Sequence, residues 1–170
     1  VFALREPDIE GAAPEDQPTW NIWEYDLDLQ QLRRVIASDT TADDGQDVAP
    51  HYLPDGRIIF SSTRQRQSKA ILLDEGKPQF EAQDESDGEP AFVLHVMNAD
   101  GSDLHQVSFN QSHDLDAAVL PDGRVVFSRW DRAPGHDEIS LYTMRPDGSD
   151  LQLLYGARSH DTGTDGEEIH

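Results

Sequence analysis

The chain of 170 residues contains no cysteine. Disulfides, thiolate metal sites and a haem attached through Cys-x-x-Cys-His all need that sulfur, so this segment carries none of them. Basic side chains are scarce as well. Lys and Arg number 13 against 34 Asp and Glu, a formal net charge of −21. Nucleic-acid phosphates and anionic lipid surfaces require a basic footprint, so neither is expected as a partner. The acidic surface either keeps the protein soluble or draws cations or a basic protein. No stretch approaches the roughly 18 apolar residues of a membrane-spanning helix, so no membrane insertion is expected. Position 1 is Val where an initiator Met would stand, and the first residues already read as a strand. The expectation is a segment of a longer protein, with any targeting signal outside it.

What the chain does have is a repeat. Leu-Pro-Asp-Gly-Arg-Ile-Ile-Phe-Ser at 53–61 returns as Leu-Pro-Asp-Gly-Arg-Val-Val-Phe-Ser at 120–128, 67 positions later. Val-Met-Asn-Ala-Asp-Gly-Ser-Asp-Leu at 96–104 returns as Thr-Met-Arg-Pro-Asp-Gly-Ser-Asp-Leu at 143–151, and Ser112-His113-Asp114 as Ser159-His160-Asp161, each 47 positions later. The period is 47, and the difference of 20 is an insertion in the earlier unit, somewhere within 64–90. Further back, 22–28 aligns with 94–100, and Val1-Phe2-Ala3 with Ile59-Phe60-Ser61. The units read as 1–45, the latter part of one repeat; 46–111, a complete repeat with an acidic insertion at 74–90; 112–158, a second complete repeat; and 159–170, the start of another.

Each unit holds four short strands. Alternating apolar residues at 48–53 and 57–62 flank Pro54-Asp55-Gly56, where Pro sets the turn and Gly takes positive φ without a Cβ clash. Strands at 93–97 and 104–108 flank Asp100-Gly101. Four strands per 40–50 residues are the signature of a β-propeller blade, so the predicted fold is all-β: antiparallel blades in a partial ring of about three. Hydrophobic residues make up 36% of the chain, with six Phe, four Tyr and three Trp, enough to pack short strands face to face. An arc that does not close leaves faces exposed, so further blades are expected outside this chain.

These motifs resemble the TolB-type, WD40-like propeller repeat over nearly the whole chain. More narrowly, residues 109–116, 127–131 and 154–160 are similar to the middle, propeller region of hydrazine synthase alpha subunit-like proteins. The resemblance implies an extracytoplasmic, periplasmic propeller, commonly six-bladed, sometimes joined to haem-bearing domains. With no Cys-x-x-Cys-His here, any haem would come from regions outside this chain. The function expected is binding or scaffolding for a protein or small ligand; the alternative is the non-haem propeller of a multihaem redox enzyme.

Catalytic signals are thin. No Gly-x-Ser-x-Gly occurs, and Ser next to His-Asp in sequence is no triad, since a triad assembles from separated residues. The candidate ligand site is the cluster His113, Asp114, Asp116, His160 and Asp161, each group standing where an innermost strand opens and so near the central channel. Imidazole and carboxylate can hold a divalent metal, with His113 and His160 as ligands, or can cap the inter-blade connection through backbone hydrogen bonds. The preceding unit carries Gln46 at the His position. Arg129 and Trp130 lie just beyond the second strand, Trp130 read as blade packing or ligand stacking. Arg64 and Arg66 are expected as exposed pairs of little energetic value. The Asp-Gly-Ser-Asp stretches read as turns. The insertion reads as a long loop that only Phe80 could anchor; a calcium loop starting at Asp84 would need Gly at 89, which is Glu.

Overall fold

Short strands with apolar residues on alternate positions must cover that face, and this chain does so by stacking three antiparallel sheets. The computed structural model describes residues 1–156 except 79, 85, 87, 134 and 135. The first sheet is β1 (Phe2–Leu4), β2 (Asn21–Asp26) and β3 (Gln31–Arg34). The middle sheet is β4 (Asp47–Tyr52), β5 (Ile58–Ser62), β6 (Val93–Met97) and β7 (His105–Gln106). The last is β8 (Asp114–Val119), β9 (Val125–Ala133), β10 (His136–Met144) and β11 (Gln152–Tyr155). Each is a meander whose strands pair in sequence order.

The repeat in sequence is a repeat in hydrogen bonding. Leu53 N donates to Arg57 O and Leu120 N to Arg124 O, both at 2.8 Å, and the turn closes from Gly56 N to Leu53 O and from Gly123 N to Leu120 O, both at 2.9 Å. Ile58 pairs with Met97 as Val125 pairs with Met144. Even the irregularity recurs: β4 and β8 each carry a bulge, with Ala49 at φ 49° and Asp116 at φ 52°.

The core lies between sheets. In β5, Ile58 and Phe60 face the first sheet and pack with Ile22, Val35 and Met97, whereas Ile59 between them packs with Val107, Phe127 and Met144. Period-two alternation therefore fills two interfaces, which is why β5 and β6 are buried along their whole length. Each fully buried Leu, Ile or Phe contributes roughly 1.5–3 kcal/mol, so these interfaces hold the arc together. Two glycines let the sheets approach. At Gly101, φ 82°, a Cβ would collide with the carbonyl oxygen of Val35, just past β3; at Gly148, φ 83°, one would collide with that of Val107, just past β7. The Asp-Gly-Ser-Asp turns are thus also docking points.

The last sheet shows what stacking covers. Leu94 is 0% exposed but its equivalent Leu141 is 39%, and Val107 is 5% exposed but its equivalent Leu154 is 48%. The first sheet likewise exposes Leu4, Leu29 and Leu32.

Among the described residues the 74–90 segment forms a loop with one isolated bridge, Gln83 to Pro90, and it is tied down at several points. It is preceded by α2 (Arg66–Asp74), a helix none of whose residues is fully buried. A second short helix, α1 (Asp39–Ala42), is capped by Ser38, whose side chain accepts from Thr41 N. Phe80 is half exposed and does not anchor the insertion. Gln65 does: its Nε2 donates to Ala82 O at 3.1 Å and Ala91 O at 2.9 Å, and its Oε1 accepts from Ala82 N at 2.7 Å. Ala82, Ala91 and Val93 close a small buried cluster beneath it.

Candidate functional site

The innermost strands β4 and β8 both begin with an Asp that is fully buried. A carboxylate without water needs a cation and hydrogen bonds. Asp114 receives both oxygens' worth from Arg129, Nε to Oδ1 and Nη2 to Oδ2, each at 2.8 Å. The guanidinium lies over Phe127 and Tyr142, 5.5 and 5.2 Å from the ring centroids. Burial alone would lower the Arg129 pKa, but the bonds and charge of Asp114 outweigh it and raise it.

Asp47 makes the corresponding pair with Arg64, Nε to Oδ1 at 3.1 Å and Nη2 to Oδ2 at 2.5 Å, with Ser62 Oγ donating to Oδ1 at 2.7 Å. Desolvation still pushes the Asp47 carboxyl up to about 6, against the pull of Arg64 and Ser62. The expectation of an exposed Arg64 is therefore corrected: it is 5% exposed, because the buried Asp47 has to be matched. Arg66 does pair at the surface, with Asp44.

His113 sits between the rings of Phe92 (5.9 Å, 27°) and Trp130 (6.2 Å, 13°). Phe92 N donates to its Nδ1 at 3.0 Å, which places the proton of the neutral ring on Nε2. Gln46 does the same work one repeat earlier: its Oε1 accepts from Trp20 N at 2.9 Å. Beside these, Asp114 N donates to Phe92 O and Asp47 N to Trp20 O. His113 and Gln46 thus staple each innermost strand to the preceding sheet. Trp130 packs on His113 and donates Nε1–H to Asp137 Oδ1 at 2.6 Å. Asp116 is exposed at the β8 bulge, away from that stack in register. His160 and Asp161 lie outside the described residues, so the pairing of His113 with His160 does too. Among the described residues no three His, Asp or Glu side chains gather to hold a metal.

A second feature lies beside this cluster. The insertion folds over the connector into β8: Ser112 Oγ donates to Gln83 O at 2.8 Å, Gln83 N to Gln111 O at 3.2 Å, and Arg132 Nη1 to Asp84 O at 2.7 Å. Asp84, where the calcium-loop spacing was tested, turns Oδ1 onto its own loop, accepting from Gly88 N at 3.0 Å, Ser86 N at 3.2 Å and Glu89 N at 3.3 Å. Those bonds, that from Gly88 foremost, hold its pKa below the usual carboxylate range. Between α2, the insertion and β9 opens a cleft of about 490 Å³, walled by Ile71, Leu72, Phe80 and Phe109 and floored by Gln106.

The sequence matches no family model and no curated protein. Among solved structures, a TolB-type protein from Agrobacterium tumefaciens superposes over 81% of this chain, with TM-score 0.56 and 20% identity. The hydrazine synthase of Kuenenia stuttgartiensis superposes over 88%, with TM-score 0.58 and 19% identity. The fold is part of a β-propeller. The three sheets are its blades, and the chain spans 41% of the first of those structures and 23% of the second.

Sequence reading placed His113, Asp114, Asp116, His160, Asp161, Arg129 and Trp130 at one channel mouth; the structure pairs Arg129 with Asp114 and stacks Trp130 on His113, sets Asp116 apart at the bulge, and leaves His160 and Asp161 outside the described residues. It missed Gln65, Gln106 and Phe109. Phe109 was in view only as part of a motif; the two Gln have no signal, because an amide that clamps backbone reads in sequence like any surface polar residue.

Proposed function

We propose that this chain is the binding and scaffold part of a longer extracytoplasmic propeller, offering the channel mouth and its inserted elements to a protein or small ligand. The observation that carries this reading is the insertion: it is clamped by Gln65, tied to the connector at Gln83 and to β9 at Asp84, and walls a cleft beside the His113 cluster. A loop held this firmly around an apolar cleft serves recognition better than a solvated surface loop does. The ion pairs at Asp47 and Asp114 are matched internally and supply rigidity rather than chemistry. The exposed Leu141 and Leu154 are covered, in this reading, by another blade of the same polypeptide.

A second reading makes the chain the non-haem propeller of a multihaem redox enzyme, favoured by the superposition on hydrazine synthase. In that reading His113 or His160 is a ligand to a metal, and haem is held by other regions of the polypeptide. Purification of the intact protein from the periplasmic fraction after osmotic shock tests both. A periplasmic protein without a Soret band supports the scaffold. A Soret band with Cys-x-x-Cys-His motifs in the full-length gene supports the enzyme, and recovery only from the cytosol overturns the location.

A further inference from the structure

We propose that the open face of the last sheet seats the chain's own next blade, the one that Ser159-His160-Asp161 opens, and that His160 and Asp161 staple this blade to the backbone of Ile139. The proposal rests on the reading of the chain as part of a longer propeller and names the contacts by which the next part attaches.

Two interfaces of one kind set the pattern. At the first, Trp20 N donates to Gln46 Oε1 and Asp47 N to Trp20 O. At the second, Phe92 N donates to His113 Nδ1 and Asp114 N to Phe92 O. One residue of the earlier blade thus meets two consecutive residues of the later one. Ile139 stands 47 positions after Phe92, and His160 and Asp161 stand 47 after His113 and Asp114. Ile139 N is therefore the donor for His160 Nδ1, and Ile139 O the acceptor for Asp161 N. The described chain already leads to this point. A Cβ on Gly156 would sit 2.9 Å from Ser140 Cβ, so the backbone crosses β10 one residue from Ile139, and only 157–159 separate it from His160.

The face itself is shaped for a blade with a glycine turn. Ile59, Leu94 and Val107 of the middle blade pack on Ala117, Phe127 and Met144 of the last. Val126, Leu141 and Leu154 hold the same three places in the last blade, where Leu141 and Leu154 are open to water. At both existing interfaces the incoming blade lays a positive-φ glycine against one carbonyl of the preceding blade, Gly101 on Val35 and Gly148 on Val107. Leu154 carries the third such carbonyl, so the blade seated there brings a glycine to it.

That requirement rules out the first blade of a second copy. Counted from the matching bonds Val35 N to Ile22 O and Val107 N to Leu94 O, Leu29 holds the place of Gly101. A whole leucine side chain does not fit where a single Cβ already strikes backbone. Leu29 instead stands 67% exposed. Among the described residues the first sheet also has no innermost strand to carry a staple, since β1 corresponds to β5.

Amide hydrogen exchange on the intact protein reads the staple. His160→Ala should speed exchange at Ile139 about tenfold, the worth of one hydrogen bond. His160→Gln should leave it unchanged, because Gln46 does the same work at the first interface. Leu141→Ala should lower the urea midpoint about as far as Leu94→Ala, and Leu27→Ala, at an exposed turn, should not move it. Loss of protection in His160→Gln as well as His160→Ala overturns the staple, since a role that only imidazole can fill is then at work. An Ile139 amide that exchanges freely in the unaltered protein, or a midpoint untouched by Leu141→Ala, overturns the seat. A dimer in sedimentation that Leu141→Ala splits makes a second copy the occupant and overturns it too. None of these readouts depends on location or haem content, so the scaffold reading stands or falls on its own test.

Discussion

Replacing Gly101 by Ala should loosen the first blade from the middle one, and replacing Gly56 by Ala should not. Both glycines hold positive φ, 82° and 87°, so an alanine at either meets the same backbone strain, about 1–2 kcal/mol. Their surroundings differ. Nothing lies within 4 Å of a Cβ on Gly56, whereas a Cβ on Gly101 would strike Val35 O and sit 3.0 Å from Val35 C and 3.1 Å from Ile36 Cα. These are backbone atoms and cannot rotate away, so the blades must part. Overpacking of this kind costs a further 1–3 kcal/mol or so, and a gap of even 0.5–1 Å forfeits a quarter to a half of the dispersion across it. The expected totals are therefore about 2–5 kcal/mol for Gly101→Ala and about 1–2 kcal/mol for Gly56→Ala. Urea denaturation of the intact protein gives the totals, and amide hydrogen exchange gives the location. Because repeat units are coupled mainly through nearest-neighbour interfaces, Gly101→Ala should lower protection in β2 and β3 selectively. Equal losses for the two variants, or a uniform loss of protection, would refute the docking role of the turn.

Arg129→Ala strands the buried Asp114 and should destabilise by about 3–5 kcal/mol in thermal or urea unfolding, while Asp114→Asn with Arg129→Met should recover most of it. Ala49→Gly relieves a left-handed alanine at the β4 bulge and should raise stability by up to about 1 kcal/mol, read as a higher urea midpoint at unchanged slope. Burial holds the His95 imidazole down at about 4, against about 6.5 unfolded. Its stabilising contribution is complete above pH 6.5 and is lost as pH falls toward 4, about 3 kcal/mol in all. Asp47, raised to about 6, acts in the opposite sense: its contribution is complete below about 3.8 and is lost as pH rises through 6. Stability curves from pH 4 to 7 for the unaltered protein and His95→Gln separate the two, and parallel curves would dismiss the His95 linkage.

The fold was legible because the repeat multiplies a weak signal. One Leu-Pro-Asp-Gly-Arg turn between short strands is an ordinary hairpin; the same turn 67 residues on, with Met-x-x-Asp-Gly-Ser-Asp following each in the same order, leaves few architectures that keep both. The sheet edges were less legible. β9 and β10 run to nine residues each where β5 and β6 have five, because the ribbon that closes directly in the last blade is interrupted in the middle blade by the insertion. α2 was not read from the sequence, because its nine residues sit beside a Pro-, Gly- and acid-rich stretch and none is fully buried.

At β8 the sequence left two roles open for His113, metal ligand and cap of the inter-blade connection, and the structure shows a cap bond. Spacing alone puts His113 and Gln46 at one structural position, and that equivalence already hints at what both side chains can do. Imidazole and carboxamide share an acceptor at similar reach, and Phe92 N and Trp20 N use it in the same way. Gln46 can therefore take the place of His in the staple. The sequence therefore contained the reason to prefer capping, but the donor, a backbone N–H on the neighbouring blade, has no residue identity to announce it. The same holds for Arg64. Its carboxylate partner was in plain sight at 47, yet only the stacking of the blades makes that carboxylate dry, and dryness is what turns a nearby charge into an obligatory pair.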